Sequence, residues 1–340
     1  MDQDILSDLT REQRRHLEDV RELWDVWSKL ARKRDGLAGA MAWKPVKGRE
    51  YLVRYWNDED VGDKRMKSLG PRSDETEAAK AKFERDRAAV DGALAQLKGR
   101  LDALARVGKA LRVGRLEIPA ADVLRQFWRA DMLGADLMVI GSAAIQLYEA
   151  SAGVGVPQSI VPSGDLDLAV ADGRRWDRDD IERIARRADK TFRWRGDRST
   201  LVNADGFRVD IVDMGKLHSS IADLHDLSST QQRVLDEVLE LPPVKAIAVG
   251  RDGMPVPMVG IDPRCFTLLK FVRAEFDGRR SGNASQIDRE QAIAVGTLVE
   301  RHWREQFEPE WLEAFPALAR SLGHEDPDGG GPAFFRGPRF

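Results

Sequence analysis

One stretch constrains this chain more than any other. Met138–Ala150 reads MVIGSAAIQLYEA: an apolar run, Leu137–Ile140, stops at Gly141-Ser142, and a helical pattern, Ala143–Ala150, starts at once. Downstream, PSGDLDLAV carries Asp165 and Asp167 on either side of Leu166. Side chains alternate faces along a strand, so both carboxylates point the same way. A later segment, Phe207–Asp213 (FRVDIVD), sets a third carboxylate, Asp210, between two apolar residues. Asp213, three residues on, faces away. Acids crowded onto one face repel unless a cation or water screens them, so a purely structural strand gains nothing from the pair. Two acids on one strand and one on a neighbour can hold a divalent cation through hard oxygen donors. A Gly-Ser turn that opens a helix can hold a phosphate, because free N–H groups and the positive end of the helix dipole meet there. Gly141 permits the close turn, and Ser142 offers both its N–H and its hydroxyl. The structural alternative is a turn-capping Asp165 beside a salt-bridged Asp167.

The rest of the chain narrows the setting. With 340 residues it can hold more than one domain, and its net charge of -3 leaves no global basic signature. Any nucleic-acid contact must therefore come from a local patch. The single cysteine, Cys265, excludes an internal disulfide framework and fits a reducing compartment. It sits in the apolar PRCFTLLKF and reads as buried and inert. The five histidines show no metal-ligand spacing, which argues against zinc. No stretch approaches eighteen apolar residues and the N-terminus has no signal-peptide pattern, so the expectation is a cytoplasmic protein with no membrane partner.

Residues 1–115 predict a helical pair with a three-stranded meander. Thr10–Gln13 matches a capping box, and Leu17, Val20, Trp24, Trp27 and Ala31 recur at helical steps, giving a helix over about 10–33. WKPVKGREYLVRYW then alternates apolar and polar residues with a turn at Lys47-Gly48, and a further strand spans 64–69. Lys44–Arg72 holds eight Lys/Arg and five Asp/Glu with Trp43, Tyr51, Tyr55 and Trp56 interleaved. That pattern suits either a half-buried meander or nucleic-acid binding through residues 41–72. Phe83, Val90, Leu94, Leu97, Leu101 and Leu104 mark a helix over 75–107 whose apolar stripe needs a partner. The first helix can supply it; a homodimer through 75–107 is the alternative.

Residues 116–260 form the predicted core and 261–323 a C-terminal helical region. A short helix spans Ala120–Met132. From Arg174 to Arg198 there are ten Lys/Arg and six Asp/Glu, with Ile181, Ile184, Ala185, Ala188 and Phe192 as the stripe of a sheet-covering helix. Its charges suit a solvated face or a groove for an anionic acceptor. Ser228–Leu241 reads as helix, Val244–Val249 and Met254–Val259 as a hairpin, and Asp262-Pro263 as a helix start. Lys270 lies on that helix, Arg289 on a further one over 285–307, and 311–322 reads as the last. The Gly/Pro-rich residues 324–340 predict a disordered tail.

Taken together, Gly-Ser opening a helix, an apolar-flanked Asp-x-Asp and a third acid on a later strand resemble the DNA polymerase β nucleotidyltransferase superfamily. More narrowly, GSAAIQLYEASAG, GDLDLAV, GFRVDIV, GMPVPM, IDPRCFTLLKF and DREQAIAV are similar to segments of a group of bacterial nucleotidyltransferase-fold proteins. The upstream SLGPRSDETE is similar too, and the likeness covers most of residues 40–320. The resemblance implies an α+β fold with a mixed-sheet core. It implies metal-dependent transfer of a nucleoside monophosphate from an NTP to a hydroxyl of RNA, protein or a small molecule. Asp165 and Asp167 would bind two Mg²⁺ (or Mn²⁺) ions. Asp210 would join the catalytic one and activate the attacking hydroxyl, and the triphosphate would lie on Gly141 and Ser142. Lys270 matches a lysine of the narrower group and would contact phosphate. One departure is the long gap from Ser142 to Asp165, with a loop expected over Gly153–Gly164, which bears on the substrate and on whether activity is retained. The competing function is a catalytically silent module that binds nucleic acid or regulates.

Overall fold

The computed structural model describes residues 5–57, 64–134, 136–161, 164–170, 177–196, 199–222, 226–277 and 282–324. In chain order the elements begin with β1 (Ser7–Asp8), α1 (Arg11–Gly36), β2 (Ala40–Val46), β3 (Arg49–Asn57), β4 (Lys64–Pro71), α2 (Asp74–Leu111), α3 (Ile118–Arg129) and β5 (Leu137–Ile140). They continue with α4 (Ala144–Ala152), β6 (Val154–Gly155), β7 (Asp165–Val170), α5 (Arg178–Ala188), β8 (Arg193–Arg195), β9 (Thr200–Val202) and β10 (Arg208–Asp213). Last come α6 (Met214–Ala222), α7 (Ser229–Leu239), β11 (Val244–Val249), β12 (Pro255–Gly260), α8 (Pro263–Phe276), α9 (Gly282–His302), α10 (Pro309–Ala314) and α11 (Pro316–Ser321). The fold is α+β. No described helix is long and apolar enough to cross a membrane.

Contacts divide the chain into two compact units, Met1–Arg14 with Leu111–Phe340, and Arg15–Ala110. In the smaller unit, Val20, Leu23 and Trp24 of α1 and Phe83, Val90, Leu97 and Leu101 of α2 are buried, as are Leu52 and Val53 of the meander. Gly92 and Gly99 do not interrupt α2, which runs 38 residues. β2, β3 and β4 form an antiparallel meander with β3 in the middle. The Thr10 capping box is present: Gln13 N–H donates to the Thr10 hydroxyl at 3.2 Å and Thr10 N–H to Gln13 Oε1 at 2.9 Å.

The larger unit is built on a seven-stranded mixed sheet in the order β11-β12-β5-β7-β10-β9-β8. β7 runs parallel to β10 and antiparallel to β5, so the Asp-x-Asp strand is central. Leu166, Leu168 and Val209 share one face of the sheet and are fully buried there. α4 meets α9, and the Tyr148 ring of α4 packs edge-on against Phe266 of α8 with centroids 5.5 Å apart. One apolar core runs through the sheet and the C-terminal helices.

Several sequence expectations need revision. α5 ends at Ala188, because Asp189 bonds the Thr191 N–H and hydroxyl at 2.9 and 2.7 Å and turns the chain; Phe192 is fully buried but lies beyond the helix. The strands β8 and β9 follow where none was expected. α9 stops at His302, where the Gln306 side chain donates to the carbonyls of Val299 and Trp303 at 3.0 and 2.6 Å. The last predicted helix is two, because Pro316 has no N–H to continue α10 and starts α11 instead. The tail expected over 324–340 lies outside the described residues beyond His324.

The expected loop over Gly153–Gly164 is largely packed. Val154, Val156, Ile160 and Val161 are buried, and β6 pairs antiparallel with β1. Glu149 accepts the Val156 N–H at 2.6 Å, and Gln291 of α9 donates to the Ile160 carbonyl at 2.8 Å. Pro162 and Ser163 lie outside the described residues. Cys265 is buried, and burial pushes its thiol pKa up, as an inert cysteine requires.

Candidate active site

The strand register assembles the acidic cluster. Asp210 on β10 stands opposite Asp167 on β7, and Arg208 opposite Asp165. Neighbouring strands lie about 4.8 Å apart, so register partners project side by side on one face. All three acids are partly exposed, on strands in the middle of the sheet. Asp167 has its pKa raised to about 6, first by burial and then by the charges of Asp165 and Asp210, while Lys270 and Arg273 of α8 pull it back down. Sheet pairing across two strands therefore sets three carboxylates against one another, with a cationic helix face nearby.

β5 brings the Gly-Ser turn to the same point. Ile140 is the register partner of Asp167, and the chain turns immediately after it. Gly141 has φ +63, and a Cβ there would lie 2.0 Å from Asp167 Oδ2. A side chain at this position would thus meet both the left-handed backbone penalty and the carboxylate. Ser142 is buried, in a short 3₁₀ turn over Gly141–Ala143 that runs into α4. A Gly-Ser turn is therefore packed directly against the central acid, a proximity that residue spacing alone did not establish.

Each flanking acid also has a protein partner. Arg208 donates to Asp165 Oδ2 at 3.0 Å, and the Thr200 hydroxyl donates to Asp210 Oδ1 at 2.5 Å. The sequence alternative had Asp167 in the salt bridge; the ion pair falls on Asp165 instead. With the side chains so turned, no group of three or more His, Cys, Asp or Glu among the described residues is gathered to hold a metal ion. The donor chemistry nevertheless suits a hard divalent cation: three carboxylates on adjacent register positions, whose mutual repulsion a cation would relieve.

Lys270, on α8, acts on Asp167 through its charge. Its ammonium donates to Asp288 Oδ1 of α9 at 2.7 Å, with both side chains nearly buried. Burial lowers its pKa and Asp288 opposes that. Arg289, the neighbour singled out in sequence, is exposed and pairs with Glu275. The partner of Lys270 is thus Asp288, one residue earlier and on the inward face of α9.

Residues 119–316 match the model of a protein family described as nucleotidyltransferase. The chain belongs to that family. No curated protein and no solved structure matches it. All six sequence-selected positions of this nucleotidyltransferase, Gly141, Ser142, Asp165, Asp167, Asp210 and Lys270, fall inside the matched span. Sequence reading missed Arg208, Thr200 and Asp288. Arg208 had a signal, since it lies two residues before Asp210 and so shares its strand face. Thr200 had none, because β9 is a three-residue strand. Asp288 sits 18 positions after Lys270 on a different helix, and only the α8–α9 packing joins them.

Proposed function

We propose that this nucleotidyltransferase moves a nucleoside monophosphate from an NTP to an acceptor hydroxyl at Asp165, Asp167 and Asp210. The observation that carries the reading is the backbone of Gly141 set against the Asp167 carboxylate, which joins a phosphate-type turn to an acidic cluster. The reading groups the fold with the DNA polymerase β superfamily.

In this reading the N–H groups of Gly141 and Ser142 and the Ser142 hydroxyl donate to triphosphate oxygens at the start of α4. Asp165 and Asp167 would hold Mg²⁺ or Mn²⁺, with Asp210 as the third ligand. To do so Asp165 would have to release Arg208 and Asp210 to release Thr200. A bound divalent ion would supply charge stabilisation for the attacking and leaving oxygens of an in-line displacement. Asp210 accepts the proton of the attacking hydroxyl. The acceptor oxygen forms its bond to the α-phosphorus, the α–β bridging bond breaks, and pyrophosphate leaves. Lys270 adds positive charge that balances the triphosphate and helps to keep Asp167 ionised.

A silent, binding-only role is the second reading, and the Arg208–Asp165 and Thr200–Asp210 contacts favour it if they persist with nucleotide present. Incubation with each α-labelled NTP and Mg²⁺, with and without total RNA, separates the two. Transfer reads as label on an acceptor plus pyrophosphate, abolished by a chelator and by Asp167→Ala. No label in any mixture would leave the silent reading.

A further inference from the structure

The smaller unit presents a second surface with its own chemistry. β3 is the middle strand of the meander, so register assigns each side chain to a face. Leu52 and Arg54 share one face with Trp43 and Met41 of β2. That face meets α2: the Arg54 guanidinium lies over the Phe83 ring at 5.5 Å from its centroid. The opposite face carries Tyr51, Val53 and Tyr55 on β3, with Lys44 opposite Tyr51 and Met66 opposite Tyr55. Lys44 Nζ lies 3.9 Å from Met66 Sδ on it. This face is open. Met66 is 55% exposed, Lys44, Ala42 and Ser68 are exposed, and the two tyrosines are partly so.

The charge around this face is one-sided. Lys44, Arg49 and Lys64 share this face by register, Lys47 stands in the turn beside it, and all four are exposed; Arg65 and Lys67, opposite Trp56 and Arg54, project from the other face. Among the described residues of 40–57 and 64–72 the one acid is Glu50, and Arg72 binds it at 2.6 Å. The acids of the β3–β4 connection, Asp58, Glu59, Asp60 and Asp63, lie outside the described residues. A rim of four cations attracts a polyanion, and the chain's net charge of -3 means the attraction is local to this meander. Two tyrosines inside such a rim offer ring faces to stack on, which unpaired bases can use and paired bases cannot.

We propose that this sheet face binds single-stranded nucleic acid, with backbone phosphates on the lysine and arginine rim and unpaired bases on Tyr51 and Tyr55. The proposal goes beyond the transfer chemistry and does not rest on it.

Fluorescence anisotropy of the full chain with labelled single-stranded RNA, single-stranded DNA and duplex oligonucleotides tests it over about 50–200 mM salt. A single strand of either sugar binds more tightly than the duplex. The plot of log K against log salt is linear, and Lys44→Gln with Lys47→Gln and Lys64→Gln reduces its slope by about 2. Tyr51→Ala with Tyr55→Ala weakens binding about tenfold or more, and Tyr51→Phe with Tyr55→Phe restores it. Asp167→Asn binds like the parent, which separates this result from the fate of the transfer reading. Circular dichroism confirms folding, and the lysine variant, altered only at exposed positions, carries the test if the alanine variant unfolds. Equal or tighter duplex binding, an unchanged slope in the lysine variant, or no binding at about 50 mM salt would overturn the proposal.

Discussion

At the scale of single residues, Asp167 is a stability cost retained at the site. Its folded-state pKa of about 6 lies above the ordinary 3.8, so the folded chain binds that proton more tightly than the unfolded chain. Its stabilising contribution is therefore complete below about pH 4 and is lost as pH rises through about 6. Glu149 runs in the same direction, raised to about 7 by burial, so the parent alone cannot isolate either group. Asp167→Asn does. At pH 8 it should unfold in urea with about 1–3 kcal/mol more stability than the parent, and the gain should vanish near pH 4. A variant less stable than the parent at pH 8 would mean that the neighbouring charges are already balanced. Gly141→Ala has the opposite expectation. The positive φ and the contact with Asp167 should cost about 1–3 kcal/mol, and transfer should be lost even in protein with a native circular dichroism spectrum.

At the scale of elements, the strands and helices with strong periodicity could be read directly, and the contacts between them could not. Leu137–Ile140, Asp165–Val170 and the α8 start at Asp262-Pro263 occur where alternation and capping chemistry put them. Ends set by one side chain, such as Gln306 closing α9, carry no periodic signal. The same holds for the site. Asp165 and Asp167 could be put on one face from spacing of two, and Asp210 joined them by pattern, but the register that sets Asp210 beside Asp167 depends on long-range parallel pairing. The Lys270–Asp288 pair is another product of packing, between α8 and α9. Removing one partner leaves a buried charge alone, so Asp288→Ala should cost about 3–5 kcal/mol in thermal or urea unfolding. Lys270→Met combined with Asp288→Leu should recover much of that stability while transfer stays impaired. Equal stability of the single and double variants would show that the pair is well solvated.

At the scale of the whole molecule, the chain joins two kinds of surface. The nucleotidyltransferase match covers residues 119–316, and the compact unit Arg15–Ala110 lies wholly outside it. The acidic site belongs to the larger unit and the basic sheet face to the smaller one. The account stands or falls on the acids. A crystal structure with a non-hydrolysable NTP and Mn²⁺, located by its anomalous signal, tests it most directly. The account predicts manganese bound by Asp165, Asp167 and Asp210, the triphosphate on Gly141 and Ser142, and the Arg208–Asp165 and Thr200–Asp210 contacts released. Manganese elsewhere, with both contacts intact, would contradict it.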